Sequence, residues 1–328
     1  MPYNGLMNIL MMGTGTFAEP TFAALLSSRH TVLGLVTNPD RLSGKGKDRE
    51  MERGIKKRAV DAGLPVYQPL SINTPEAIAH LQTHFKPDLF VVAAYGQILS
   101  KEVLSIPPRG GINVHSSLLP KYRGAAPIAW AIYHGDTQTG VTIIRMTPRM
   151  DAGEMLGQVI EPIHPDDTAG TLEARLAAAG AKLALNVLDQ LKAGTETGTP
   201  QNMSLVTKAP KLSKEMGLVD YTRTAHQVDC QIRAFQPWPS AYTYWHRTAG
   251  EPVRLIVMRA IPDATQSSDR PAGEVIQVKT DQVSIACGQG TVTNLVTVQP
   301  SGKKPMAIGD FLRGYRVQVG DRFGPEKS

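Results

Sequence analysis

Met7-Asn8-Ile9-Leu10-Met11-Met12-Gly13-Thr14-Gly15-Thr16-Phe17-Ala18 opens the N-terminal half. A short apolar run ends in two glycines, and apolar residues at helical spacing continue to about Ser28. Residues 32–37 form a second short, branched apolar run. Strand, tight turn, helix, strand is the opening of a parallel sheet with helices between its strands. Residues 88–95 are apolar almost throughout, as expected for a central strand buried on both faces. Residues 111–115 and 140–146 predict further strands, 75–85 and 125–134 predict helices, and 171–191 predict a long amphipathic helix. These elements place an α/β domain at residues 1–193.

Residues 194–214 are rich in Gly, Thr, Pro and Lys without periodicity, which predicts a linker. After a short helix at 224–235 the pattern changes. Residues 242–246, 253–260, 273–279, 282–287 and 293–299 are short runs of strand character separated by turn signals. They predict an all-β module over 215–328, closed as a small barrel. The two cysteines, Cys230 and Cys287, have no metal-ligand or CxxC spacing, so buried thiols and no metal are expected. Met1 to Leu6 lacks the charged and apolar regions of a secretory signal, and no apolar run reaches membrane-spanning length. A cytoplasmic protein is the expectation.

Gly13-Thr14-Gly15-Thr16-Phe17-Ala18 fits the G-x-G-x-x-A pattern of dinucleotide sites. The second strand ends at Val36-Thr37 without the acidic residue that would hold a ribose, so the glycines are read as serving a tight turn. Charge is informative by its placement. The chain carries 35 basic and 29 acidic side chains, a net of +6. Residues 1–207 contribute +1 and residues 208–328 contribute +5. Within the first part, residues 41–58 hold eight basic and three acidic side chains. A loop and the C-terminal third are therefore basic, which suits a polyanion or simply a solvated surface.

The chemistry-bearing stretch is Asn113-Val114-His115-Ser116-Ser117-Leu118-Leu119-Pro120-Lys121-Tyr122-Arg123-Gly124. Asn113 and His115 are two apart on a predicted strand and so share a face. Asp151 follows the strand at 140–146 by a short turn and reaches the same rim if the two strands are neighbours. Acyl transfer to an amine needs donors to the developing oxyanion and groups that move protons. An Asn amide, a histidine and a carboxylate supply these without a covalent intermediate. Ser116 and Ser117 lie close by, so composition leaves a nucleophile open.

Asn113-Val114-His115, Ser117-Leu118-Leu119-Pro120, Tyr122-Arg123-Gly124 and Asp151-Ala152-Gly153 resemble the signature of the folate-dependent formyltransferases. The resemblance implies a Rossmann-like catalytic domain and 10-formyltetrahydrofolate as donor. Asn113, His115 and Asp151 would be catalytic. Ser117, Leu118, Leu119 and Pro120 would line the folate site, with Tyr95 and Gly96 near the pterin. Residues 37–41, 44–47, 211–215 and 232–239 resemble the members whose acceptor is methionyl-tRNA, which implies an OB-like C-terminal barrel and a monomer. Initiator methionyl-tRNA would then meet Arg41, Lys45, Lys47, Lys56, Lys57 and Arg58 on one side, and Lys208, Lys211 and Lys214 on the other. The sequence departs from the family loop at two points: Leu42 follows Arg41, and Lys45 stands where arginine is usual. Lysine keeps the charge but loses the planar fork. An amino-sugar nucleotide as acceptor, and a non-catalytic RNA-binding protein, are the alternative readings.

Overall fold

The computed structural model describes residues 6–40, 54–247 and 250–326. The chain forms two compact units, one from residues 1–127, 138–162 and 172–210, the other from 128–137, 163–171 and 211–328. In chain order the elements up to residue 210 are β1 (Asn8–Gly13), α1 (Ala18–Leu26), β2 (Thr31–Val36), α2 (Ile55–Asp61), β3 (Val66–Tyr67), α3 (Pro75–His80), β4 (Leu89–Ala93), α4 (Lys101–Leu104), β5 (Gly111–His115), β6 (Arg123–Gly124), α5 (Pro127–Tyr133), β7 (Gln138–Arg145), β8 (Met155–Pro162), α6 (Ala169–Ala193) and β9 (Lys208–Ala209).

The main sheet of the first unit runs β3-β2-β1-β4-β5-β7-β8. Its pairs are parallel from β3 to β5, as the apolar runs predict. The opening turn is a close-packing device. A side chain on Gly13 would place its Cβ 2.8 Å from Ala18 Cβ and 2.9 Å from the Ala93 carbonyl, so only glycine lets β1, β4 and α1 meet there. On one face Leu10, Met12, Val36, Phe90, Val92 and Tyr95 belong to one buried cluster. On the other, α6 lays Gly180 against Val114 and Val141, with Leu183 and Val187 against Gly157.

The parallel part of the sheet ends at β5. The pairs β5–β7 and β7–β8 are antiparallel. β8 follows β7 through a short turn, and a short turn can only reverse the chain. β8 escaped the sequence reading because Gly157, Gln158 and Glu161 split its apolar residues, as suits a half-exposed edge strand. A correction concerns residues 41–58, read as loop. Its described end is helical from Ile55, with Ile55 and Ala59 buried one turn apart.

The second unit contains α7 (Ala225–Ala234), β10 (Tyr242–His246), β11 (Val253–Asp263), β12 (Val275–Lys279), β13 (Gln282–Ala286), β14 (Val292–Pro300), β15 (Met306–Ala307), α8 (Ile308–Gly314) and β16 (Arg322–Gly324). Thr224 starts α7 with a reciprocal cap, its hydroxyl taking the Gln227 N–H while the Gln227 side chain takes that of Thr224. The antiparallel sheet runs β12-β13-β14-β11-β10-β16 and curls. Its two ends meet where Val275 N–H donates to Asp321 O at 2.8 Å and Phe323 N–H to Gly273 O at 2.7 Å. Trp245, Val257, Leu295, Phe311 and Phe323 fill the inside. Both cysteines are buried, and burial pushes the Cys287 thiol up to about 12. No helix of the described residues is long and apolar enough to cross a membrane.

One buried polar contact stands inside that core. Trp245 Nε1–H donates to Asp321 Oδ2 at 2.9 Å, and the Gln318 N–H donates to the same oxygen at 2.8 Å. Asp321→Ala leaves both donors without this acceptor. A loss of about 1–3 kcal/mol is expected, read as a lower urea midpoint by tryptophan fluorescence. An unchanged midpoint would mean that the indole finds another partner.

Candidate active site

β5 delivers two of the three expected catalytic side chains. Asn113 and His115 alternate past Val114, which faces α6, so both stand on the opposite side of the sheet. Asp151 arrives less directly. In the β5–β7 register His115 lies opposite Thr142 and Ile112 opposite Arg145. The turn after β7 therefore emerges beside the start of β5, not its end. The chain then doubles back, with Asp151 in the left-handed region at φ 48°. This return brings the three residues together. Asp151 Oδ1 is 3.4 Å from Asn113 Nδ2 and 3.6 Å from His115 Nδ1. Its Oδ2 accepts the Gly124 N–H at 2.9 Å.

The histidine is held through one nitrogen and faces a carboxylate with the other. Nε2 lies 3.0 Å from the carbonyl of Tyr122. A carbonyl can only accept, so Nε2 carries the hydrogen. Nδ1, the other ring nitrogen, faces the carboxylate of Asp151. Asn113 Nδ2 has two hydrogens. One is directed to Asp151, and the other remains to donate to an oxygen of a substrate.

The segment after β5 is held by its own polar groups. Ser117 is wholly buried, and its hydroxyl donates to Lys121 O at 2.7 Å. Thr142 Oγ1 donates to Ser117 O at 2.7 Å and accepts the Leu119 N–H at 3.1 Å. Gln158 Nε2 donates to Leu119 O at 2.9 Å. Leu119 is buried, Leu118 half-buried, and the Leu119–Pro120 bond is cis. Because β4 neighbours β5, Tyr95 and Gly96 leave the sheet at the same edge. The Tyr95 ring is buried, and desolvation followed by Tyr67 drives its phenol above the ordinary value. The Tyr95 carbonyl accepts from Asn38 Nδ2 at 2.6 Å.

Several parts of this arrangement escaped the sequence reading. Tyr122 and Gly124 act through backbone atoms, on which side-chain identity is silent. Asn38, Thr142 and Gln158 brace neighbouring loops across long sequence separations. Gln201 lies in the stretch read as a linker, yet residues of that stretch pack in the first unit. Met155 and Thr199 exchange both backbone hydrogen bonds at 2.9 Å, and β9 pairs with β6. No local pattern announces this.

The basic residues divide into three groups. Arg41, Lys45 and Lys47 lie outside the described residues. On α2, each cation has a carboxylate: Lys56 pairs with Asp40, Lys57 with Asp61 and Arg58 with Glu19. Lys208, Lys211 and Lys214 are exposed. Among the described residues no cluster of His, Cys, Asp and Glu is placed to hold a metal ion.

Two family models match the chain, Formyl transferase over residues 7–188 and Formyl transferase, C-terminal domain, over 211–316. It is 40% identical over 319 residues to a methionyl-tRNA formyltransferase of Roseiflexus castenholzii, covering 97% of this chain and 99% of that one. It is 42% identical over 316 residues to one of Magnetococcus marinus, covering 96% and 98%. Its fold matches an N-formyltransferase of Helicobacter canadensis solved with folinic acid and dTDP-3-aminofucose, with a TM-score of 0.62 at 15% identity, covering 90% of this chain and all of that one. With both family models matched and identity near 40% sustained along its length, the chain belongs to the formyl transferase family, in the group of the methionyl-tRNA formyltransferases.

Proposed function

We propose that this protein transfers the formyl group of 10-formyltetrahydrofolate to the amino group of initiator methionyl-tRNA, giving N-formylmethionyl-tRNA for translation initiation. The observation that carries the chemistry is the convergence of Asn113, His115 and Asp151 with the imidazole held by the Tyr122 carbonyl. The amine attacks the formyl carbon, a C–N bond forms, and the carbonyl electrons move to oxygen. Asn113 Nδ2, and His115 Nδ1 when protonated, donate to that oxygen. Asp151 Oδ1 faces both donors and holds them or a proton-carrying water in place. Collapse breaks the bond to N10 of the folate, and the proton lost by the amine is matched by one gained at N10. No side chain need become acylated. Of the two candidate nucleophiles that composition offers, Ser116 and Ser117, the second has its buried hydroxyl engaged with Lys121 O.

The folate lies against the rim where β4 and β5 end. Ser117, Leu118, Leu119 and Pro120 form one side, and the backbone of Tyr95 and Gly96 the other. The braces from Thr142 and Gln158 support this reading, since they fix the backbone a flat ligand would meet. Residues 1–193 are the catalytic domain, 194–214 a connecting stretch that packs on it in part, and 215–328 an OB-like, tRNA-binding barrel. The meeting of β12 and β16 supports the barrel. Arg41, Lys45, Lys47, Lys56, Lys57 and Arg58 contact tRNA phosphates, as do Lys208, Lys211 and Lys214. The protein works in the cytoplasm as a monomer.

Transfer of labelled formyl from 10-formyltetrahydrofolate to methionyl-tRNA tests the whole reading. Asn113→Ala is expected to lower kcat about 10²–10³-fold, as for loss of one oxyanion donor. His115→Ala is expected to lower it about 10²–10⁴-fold, as for loss of a proton-moving group. Label on an amino-sugar nucleotide instead would retain the site and replace the acceptor. Absence of transfer to either would return the chain to the RNA-binding reading.

The exposed lysines separate from the paired ones by salt dependence. Lys211→Ala is expected to reduce the slope of log K against log salt for tRNA binding by about one. Lys57→Ala, which removes a cation already facing Asp61, is expected to change it less. Equal slopes for both variants and the unaltered chain would remove these lysines from the interface.

A further inference from the structure

Gln201 has no place in any apolar pattern, yet its side chain is buried beside the catalytic turn. We propose that Gln201 is a positioning residue for formyl transfer: with Arg123 it clamps the turn that carries Asp151 against His115. The proposal rests on the reaction site assigned above.

All four hydrogen-bonding places of the Gln201 amide are filled. Nε2 donates to the carbonyls of Asp151 and Gly153, both at 2.8 Å. Oε1 accepts from Arg123 Nε at 3.0 Å and from Nη2 at 2.7 Å. A glutamine amide offers two hydrogens and one oxygen with two lone pairs, so this satisfies it completely. The two carbonyls it gathers flank the tightest point of the turn. A Cβ at Gly153 would fall 1.7 Å from the Arg145 carbonyl, so the chain passes directly over the end of β7 there. Asp151 itself holds a left-handed conformation that side-chain-bearing residues adopt only at some cost. Such a conformation persists only where the surroundings enforce it. Here the enforcing group is one buried amide.

Arg123 extends the same clamp to the imidazole. Its neighbour Tyr122 presents the carbonyl that takes the His115 Nε2 hydrogen, and its other neighbour Gly124 donates to Asp151 Oδ2. Residues 122–124 thus touch one side of the histidine and one side of the carboxylate. Gln201 ties that segment to residues 151–153. The separation of 3.6 Å between Asp151 Oδ1 and His115 Nδ1 is set by two chain segments joined through this amide. The paired backbones of Met155 and Thr199 fix Gln201 from behind.

The test is a double-mutant cycle read by formylation of methionyl-tRNA. Gln201→Ala is expected to lower kcat about 10–100-fold, the scale of a misplacement near 1 Å. The KM for the folate donor is expected to change by less than about twofold, since positioning acts on the transition state. In an Asp151→Asn background the same substitution is expected to cost less than about threefold, because the carboxylate it positions is already gone. A mere loss of folded enzyme lowers both backgrounds by the same factor, and that result overturns the proposal. An unchanged kcat overturns it too. A crystal structure of the Gln201→Ala protein gives a reading independent of turnover. Asp151 is expected to leave the left-handed region and its carboxylate to move away from His115; an unaltered turn would falsify the clamp. Lack of transfer by the unaltered chain removes the acceptor assignment and leaves the crystal measurement to decide the clamp.

Discussion

The carboxylate of Asp151 is the point through which the rest of the site is arranged. One oxygen faces both Asn113 and His115, and the other is anchored by the Gly124 N–H. A carboxylate held this way orients two donors without being consumed, which suits a reaction whose charge appears on a substrate oxygen and then disappears. The arrangement demands that a residue from one end of β5 meet residues at the other. The left-handed turn after β7, the glycine crossing at Gly153 and the amide of Gln201 all serve that demand.

The sheet provides the rigid side of this balance. β1, β2, β4 and β5 are parallel and buried, so their ends present loops at one edge, where α/β folds take their ligands. The loops are then braced by polar groups from strands outside the parallel set. Thr142 on β7 and Gln158 on β8 fix the segment after β5. The antiparallel hairpin is thus more than an edge of the sheet: the turn between its strands carries Asp151, and the strands hold the segment after β5.

The distribution of charge follows a similar division. On α2 each cation stands beside a carboxylate, so its field is partly neutralised until a stronger anion competes. Lys208 and Lys211 stand exposed. A polyanion would therefore find the two groups unequal, although the sequence lists them alike.

The sequence by itself determined the parallel strands, the glycine turn at Gly13, the strand carrying Asn113 and His115, and the change to short β-strands after residue 224. These are local: each follows from apolar spacing, backbone freedom or alternation along one strand. It also made Asp151 a candidate, through its place after the strand at 140–146 and the motif resemblance of residues 151–153. Only the tertiary structure decided how Asp151 reaches the histidine, because its turn leaves β7 at the far end and returns. It also decided that His115 uses the Tyr122 carbonyl, that Ser117 is inward and engaged, and that Gln201 closes the turn. Those facts depend on hydrogen bonds between residues 4 to 78 positions apart. A backbone carbonyl or a buried amide leaves no periodic trace in sequence, since its role is fixed by the partner that folding brings to it.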